Sequence, residues 1–218
     1  MPAASCFRLT ESVSLTQGVL SEPLAIAVYA VIKAHVSTGQ TVAILGAGPI
    51  GLSCLICCQA QGAQACFVTD LIEPRLQHAR HQGAAWAGNP RSEEIVAAIL
   101  AQAPQGVDVV IECAGEQETV DQAVQLLRPG GTLAMIGIPR VDRINFDIHS
   151  MRRHEITFLN IRRQNQCTQT ALDWMAQKRL DADFLVTHRF SLEQTQQAFE
   201  LVAGYRDGVV KAIIELPS

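Results

Sequence analysis

Short, nearly continuous apolar runs alternate along this chain with longer stretches in which apolar positions return every three or four residues. The runs Thr41–Leu45, Ala65–Thr69, Trp86–Gly88, 107–113, 132–138 and 155–161 read as six strands, short and apolar enough to be buried on both faces. Between them, 49–61 reads as a helix stopped by Gly62. A second begins at Pro74, carries Leu76, Ala79 and Arg80, and stops at Gly83. Ser92 reads as the N-cap of a helix over 93–100, with two acids in its first turn. A fourth helix over 119–127 ends at the stop-and-turn signal Arg128-Pro129-Gly130-Gly131. This alternation implies an α/β fold, a parallel sheet with helices on both faces, and right-handed crossovers make the doubly wound topology the economical one. Beyond it, 168–177 reads as a helix, Ser191 or Glu193 opens another through Val202, and 209–216 closes the chain as a strand. This tail has few partners in the sheet already counted, so it reads as part of a second unit.

The turn that leaves the first run carries the most chemistry. Gly46-Ala47-Gly48-Pro49-Ile50-Gly51 sets three glycines as G-x-G-x-x-G between a strand and a helix. One glycine lets the chain bend, a second lets backbone N–H groups approach a diphosphate, and a third lets helix pack on sheet. The anion then lies at a helix N-terminus, facing unpaired N–H groups and the positive end of the dipole. Asp70 closes the next run about twenty residues on, the place from which an acid accepts hydrogen bonds from both hydroxyls of an adenosine ribose. Loop and acid together read as a nicotinamide dinucleotide site. The carboxylate would repel a 2′-phosphate, so the cofactor reads as NAD rather than NADP. Arg75 has two readings: a counter-charge that would accept a 2′-phosphate, or a solvated helix residue beside Glu73.

Bulk properties narrow the class. Of 218 residues, 48% are hydrophobic and 17% charged, which is a folded chain and not a disordered one. A formal net charge of −4 gives no support to nucleic-acid binding. The longest apolar stretch, 41–58, is broken by Gly46, Gly48, Pro49 and Gly51 and reads as strand plus helix, not as a membrane span. No basic segment with a following apolar one opens the chain, so the expected compartment is the cytoplasm. Seven cysteines are then expected to be mostly free thiols. Cys54, Cys57 and Cys58 read as core packing; the alternative is a Cys54-x-x-Cys57 redox pair or metal half-site, and no second Cys/His cluster completes four ligands for a metal. His78 and His81 are expected to face solvent.

With these residues placed, the chain resembles the zinc-dependent, medium-chain alcohol and polyol dehydrogenases, the sorbitol dehydrogenase-like branch in particular. The likeness is carried by Glu22-Pro23-Leu24-Ala25 with Val28, by Gly46 through Gly51, and by Val68-Thr69-Asp70. It continues in Val110-Ile111-Glu112-Cys113-Ala114-Gly115, Leu127-Arg128-Pro129-Gly130-Gly131-Thr132 and Gly208-Val209-Val210-Lys211. Polyol character rests on Glu22-Pro23-Leu24 and Asn160-Ile161-Arg162-Arg163-Gln164-Asn165, although Gln164 stands where such an enzyme carries an aromatic hydroxyl. The resemblance implies a six-stranded Rossmann domain over 25–165. It makes 1–24 a connecting segment from a catalytic domain that would precede Met1, and 166–218 a small α/β segment completing that incomplete, GroES-like domain. It further implies that Ile50 approaches the diphosphate through its N–H, next to Pro49, and that Cys113 and Ile138 end strands at the ligand-binding edge. Arg162 and Arg163 would pair with the diphosphate, touch substrate, or stay solvated. Glu22 would lie near the zinc of a full-length parent; in this chain, which carries no metal-ligand set, it would be a loop carboxylate.

The expected function is therefore the NAD-binding part of an oxidoreductase that moves hydride between a small secondary alcohol or polyol and NAD, with zinc chemistry supplied from outside the chain. Two rivals are a non-catalytic NAD-binding or interaction module and a zinc-free, quinone-reductase-like enzyme, the latter disfavoured by Asp70. A homo-oligomer, dimer or tetramer, is expected to form through the sheet edge or through apolar surface near Leu20, Leu24 and the last strand.

Overall fold

Strands β1 (Thr41–Leu45), β2 (Ala65–Thr69), β3 (Trp86–Gly88), β4 (Val107–Glu112), β5 (Leu127–Met135) and β6 (Thr157–Asn160) form one parallel sheet in the order β3-β2-β1-β4-β5-β6. This is the doubly wound α/β arrangement that the alternating pattern predicts, seen here in a computed structural model that describes residues 6–217. Alternate strand residues feed two cores. Val42, Ile44, Cys66, Val68, Val109 and Ile111 join one, while Ala43, Leu45, Phe67, Val107, Val110 and Leu133 join the other. Helices α1 (Leu15–Lys33), α2 (Pro49–Ala60), α3 (Glu73–His81) and α7 (Thr168–Ala176) contribute to the first core, and α4 (Ile95–Gln102) and α5 (Gln117–Leu126) to the second. A helix α6 (Ile148–Arg153), not anticipated from the sequence, precedes β6.

Several expectations are corrected. The expected connecting segment, whose first five residues lie outside the described ones, contains most of α1's first half; the helix runs without a break through the expected boundary at 24/25. Its start is written in the sequence as a Ser14-x-x-Gln17 capping box, in which each side chain accepts from the other residue's backbone N–H at 3.1 Å. Leu20 and Leu24 are fully buried in it, against the expectation of exposed surface there; Leu15, Val19 and Ile32 are its exposed large apolar residues. By composition α1 is long and apolar enough to cross a membrane, but half of that stretch is buried within the protein, where it meets α2 and α7. Ser92 is not a cap. Its hydroxyl donates to the Asn89 carbonyl at 3.2 Å within a turn, and the helix starts later, at Ile95.

The stop signal after α5 is absorbed into β5. Val107 pairs with Leu127 and Val109 with Thr132, so residues 128–131 bulge opposite Asp108, whose carboxylate takes the Arg128 Nε–H at 2.7 Å. The strand then ends at Met135 because the next two amides, of Ile136 and Gly137, turn to the Glu112 carbonyl at 2.8 and 3.0 Å. β6 begins later than expected because Glu155 adopts a left-handed backbone, φ 51°. In the tail, a strand not anticipated from the sequence, β7 (Val186–Ser191), pairs in parallel with β8 (Lys211–Glu215), with α8 (Thr195–Ala203) between them. Short 3-10 turns precede β7 and α8.

Candidate functional site

Strands β1 and β4 lie side by side at the centre of the sheet, yet their crossovers leave in opposite directions, β1 toward β2 and β4 toward β5. A crevice opens at their carboxyl ends, the usual ligand position in such sheets. Here the Cys113 N–H donates to the Leu45 carbonyl at 2.8 Å, and a Cβ on Gly46 would stand 3.2 Å from the Cys113 carbonyl carbon. Gly46 has φ 109°, open to glycine almost alone. Its N–H continues the ladder to the Thr69 carbonyl at 2.8 Å.

Gly48 is the N-cap of α2 and Pro49 its first residue. The first bond back along the helix runs from the Leu52 N–H to the Gly48 carbonyl, so the amides of Ile50 and Gly51 have no intrahelical acceptor. A Cβ on Gly48 would meet only Arg75 Nη1, at 3.8 Å. The helix N-terminus therefore opens onto a space that a side chain at Gly48 would fill. A Cβ on Gly51, by contrast, would drive into the Gly46 carbonyl oxygen.

Asp70 braces this loop. Its Oδ2 accepts the Ala47 N–H at 2.7 Å and its Oδ1 the Ile72 N–H at 2.8 Å. A carboxylate oxygen accepts about two bonds, so each keeps capacity for a ribose hydroxyl. Among the described residues Asp70 has no cationic partner. Arg75 departs from its solvated reading: it is only 8% exposed, and Glu73 pairs instead with Arg80. Its Nε and Nη2 donate to the Val209 carbonyl at 3.2 and 2.9 Å, and the Tyr205 ring lies against it.

Glu112 is the site residue that sequence reading passed over, although it closes a buried strand as Asp70 does. Its Oε1 accepts from the Ala114 N–H, the Gly115 N–H and the Thr119 hydroxyl, each at 2.8 Å, while the buried Oε2 has no partner. Burial holds the carboxyl above the ordinary carboxylate range despite these donors, with the Glu116 charge adding to the shift. The folded chain thus binds this proton more tightly than the unfolded one, so the contribution to stability is full below the ordinary carboxylate pKa and is lost as pH rises through the raised value. Glu112→Gln, neutral throughout, is expected to flatten the fall in melting temperature over the pH range that begins at the ordinary carboxylate pKa and rises from it. Wild-type and variant curves running parallel in that range would contradict the assignment.

Cys113, half-buried, sits beside the Cys54 thiol, which together with burial pushes its own thiol pKa up. Cys54, Cys57 and Cys58 are buried core residues and, like Cys66, Cys113 and Cys167, form no disulfide. Ile138 is 88% exposed on the loop after β5, its backbone within 3.0 Å of where a Cβ on Gly115 would stand. Arg162 and Arg163 follow β6, two strands away from β4, exposed and without an ion pair among the described residues. The structure thus gathers Gly46, Gly48, Pro49, Ile50, Gly51, Asp70, Arg75 and Cys113 around one crevice, sets Ile138 at its rim, and leaves both arginines apart. Glu22 is corrected from a loop carboxylate to an exposed residue inside α1. His81 is exposed, but His78 is half-buried 6.3 Å from the Phe184 ring, and burial lowers its pKa. Among the described residues, no three His, Cys, Asp or Glu side chains converge to hold a metal.

Comparisons with known proteins bear on this geometry. Residues 49–177 match the model of a zinc-binding dehydrogenase family. Mouse sorbitol dehydrogenase is 33% identical over 198 residues, which is 89% of this chain and 55% of that enzyme. An oxidoreductase/dehydrogenase of unknown specificity from Escherichia coli superposes with a TM-score of 0.92 at 30% identity, covering 100% of this chain and 62% of its own. A chain from Sinorhizobium meliloti 1021, classed with the zinc-binding dehydrogenases and bound to NADP, gives a TM-score of 0.91 at 28% identity, covering 98% and 63%. The chain thus spans a little over half the length of these relatives.

Proposed function

Because the chain belongs to the zinc-binding dehydrogenase family, we propose that it is the NAD-binding portion of an oxidoreductase acting on a small secondary alcohol or polyol. The observation that carries this reading is the open glycine cradle at the start of α2, braced by a carboxylate that is in no ion pair among the described residues. Bound there, NAD supplies a hydride acceptor at its nicotinamide ring. The chain's residues do the rest of the binding: the Ile50 and Gly51 amides hold the diphosphate, Asp70 takes the ribose hydroxyls, and the Cys113 and Ile138 segments line the way toward β5. Arg162 and Arg163 are proposed as contacts at the far end of the cofactor or with substrate. The described residues do not fit a zinc ion, so the Lewis acid of an alcohol oxidation is proposed to come from residues outside them, with Glu22 near it.

We assign 25–165, together with the residues of α1 that run into it without a break, to the cofactor domain and 166–218 to the completion of a catalytic unit. Apolar Phe7, Leu9, Leu15 and Val19 border a groove against β8, where the remainder of such a unit would cover them. The edge strand β6 pairs on one side only and supports a homo-oligomer through that edge. Buried, unbridged Cys54, Cys57, Cys58, Cys66 and Cys167 fit a reducing compartment, the cytoplasm.

Fluorescence titration with NADH and NADPH tests the proposal. The wild-type chain is expected to bind NADH at least about tenfold more tightly, a difference of about 1.4 kcal/mol. Asp70→Asn, which removes the charge and keeps one carbonyl acceptor, is expected to bring the two affinities together. Equal affinities in the wild type, or no binding of either, would overturn the NAD reading.

A further inference from the structure

Among the described residues Arg75 is the cation at the crevice placed to oppose the cofactor preference proposed for Asp70, and the structure holds it in a particular way. Its guanidinium is buried, and its Nε–Nη2 edge is already occupied by the Val209 carbonyl at 3.2 and 2.9 Å. The face is covered by Tyr205, with the guanidinium carbon 5.4 Å from the ring centroid. Among the described residues Nη1 makes no hydrogen bond, and it lies 3.8 Å from where a Cβ on Gly48 would stand. The segment that does the holding carries two non-glycine residues in the left-handed region, Tyr205 and Asp207, with φ of 49° and 52°. It is anchored on both sides. His188 Nε2 meets Asp207 Oδ2 at 3.1 Å, and a Cβ on Gly208 would stand 2.7 Å from the Pro74 Cβ. Left-handed conformations at non-glycine residues persist only where surroundings impose them, and they gather at functional segments.

Resting on the NAD reading above, we infer that Tyr205 is a positioning residue for cofactor specificity, the key of a clasp formed by the 205–209 loop on Arg75. An arginine recognises a phosphate best through two parallel N–H bonds from one edge of its fork. The clasp closes the Nε–Nη2 edge and leaves Nη1 facing the glycine loop, a single point of donation suited to a diphosphate oxygen. Arg75 therefore cannot swing to neutralise a 2′-phosphate beside Asp70, and the carboxylate's repulsion goes unopposed. The clasp also ties the adenosine end of the cofactor site to the β7–β8 unit, because Val209 leads directly into β8.

Release of the clasp should show in the ratio of two affinities, which a general loosening of the protein would leave unchanged. Tyr205→Ala is expected to narrow the NADH-over-NADPH preference at least about fivefold, by strengthening NADPH binding. Tyr205→Asn removes the ring while tolerating the left-handed backbone, so it serves if the alanine variant fails to fold, and the same narrowing is expected. Tyr205→Phe keeps the ring face over the guanidinium and should restore the wild-type ratio. If the wild type prefers NADH but folded Tyr205→Ala and Tyr205→Asn keep its ratio within about twofold, the clasp is overturned and the NAD reading stands. If the wild type binds neither cofactor or shows no preference, the NAD reading fails before the variants are measured.

Discussion

Gly48→Val is expected to abolish cofactor binding while leaving the fold intact. The site has an extended backbone, φ −69° and ψ −175°, that valine adopts readily, and a Cβ there meets only the end of the Arg75 side chain at 3.8 Å. Branched methyls would instead occupy the space in front of the α2 N-terminus, where a diphosphate must come against bare amides. We expect NADH affinity to fall at least about 100-fold, equivalent to about 2.7 kcal/mol, with the melting temperature within about 3 °C of wild type. Titration of intrinsic or NADH fluorescence alongside thermal melts checks both halves. Unchanged affinity in the folded variant would mean that the glycine loop does not hold the cofactor.

Gly51→Ala is expected to do the reverse and damage the fold first. Helix propensity alone favours alanine over glycine by about 1 kcal/mol inside a helix, so a reading of the sequence by propensity predicts a gain. The tertiary contact predicts a loss, because the added methyl would drive into the Gly46 carbonyl oxygen, a backbone atom with no rotamer to yield. Separating α2 from the loop after β1 to relieve this should cost about 3 kcal/mol, or roughly 6–12 °C in melting temperature for a chain of this size. A variant that melts at or above the wild-type temperature would show that the loop is looser than its geometry implies. The two glycines thus divide the motif's work: one keeps space for a ligand, the other lets the helix approach the sheet.

The motif itself was legible because its requirements are local. A strand, three glycines at fixed spacing and a helix start lie within a dozen or so residues, and period-two and period-3.6 patterns mark their neighbours. Failures fell where long-range contacts override local preference. Ser92, a good cap by type, lost its hydroxyl to the Asn89 carbonyl in a turn. Glu22 lay in a stretch whose amphipathic signal is hidden because α1 is covered by helices on more than one side. β7, with its mixed Val186–Ser191 sequence, is a strand chiefly because β8 lies beside it.

Taken alone, the order of apolar runs, the glycine spacing and the acid closing β2 determined a doubly wound parallel sheet with a glycine cradle at the end of its first strand, since those features follow from backbone sterics and from which residues must leave water. Tertiary structure alone decided what each charged group near that cradle does. Only the fold brings Val209 and Tyr205 onto Arg75, and only the fold lays Gly137 against Glu112 so that one carboxylate oxygen is left without a partner. A charged side chain's role depends on the few groups within hydrogen-bonding reach of it, and in this protein those groups arrive from distant parts of the chain.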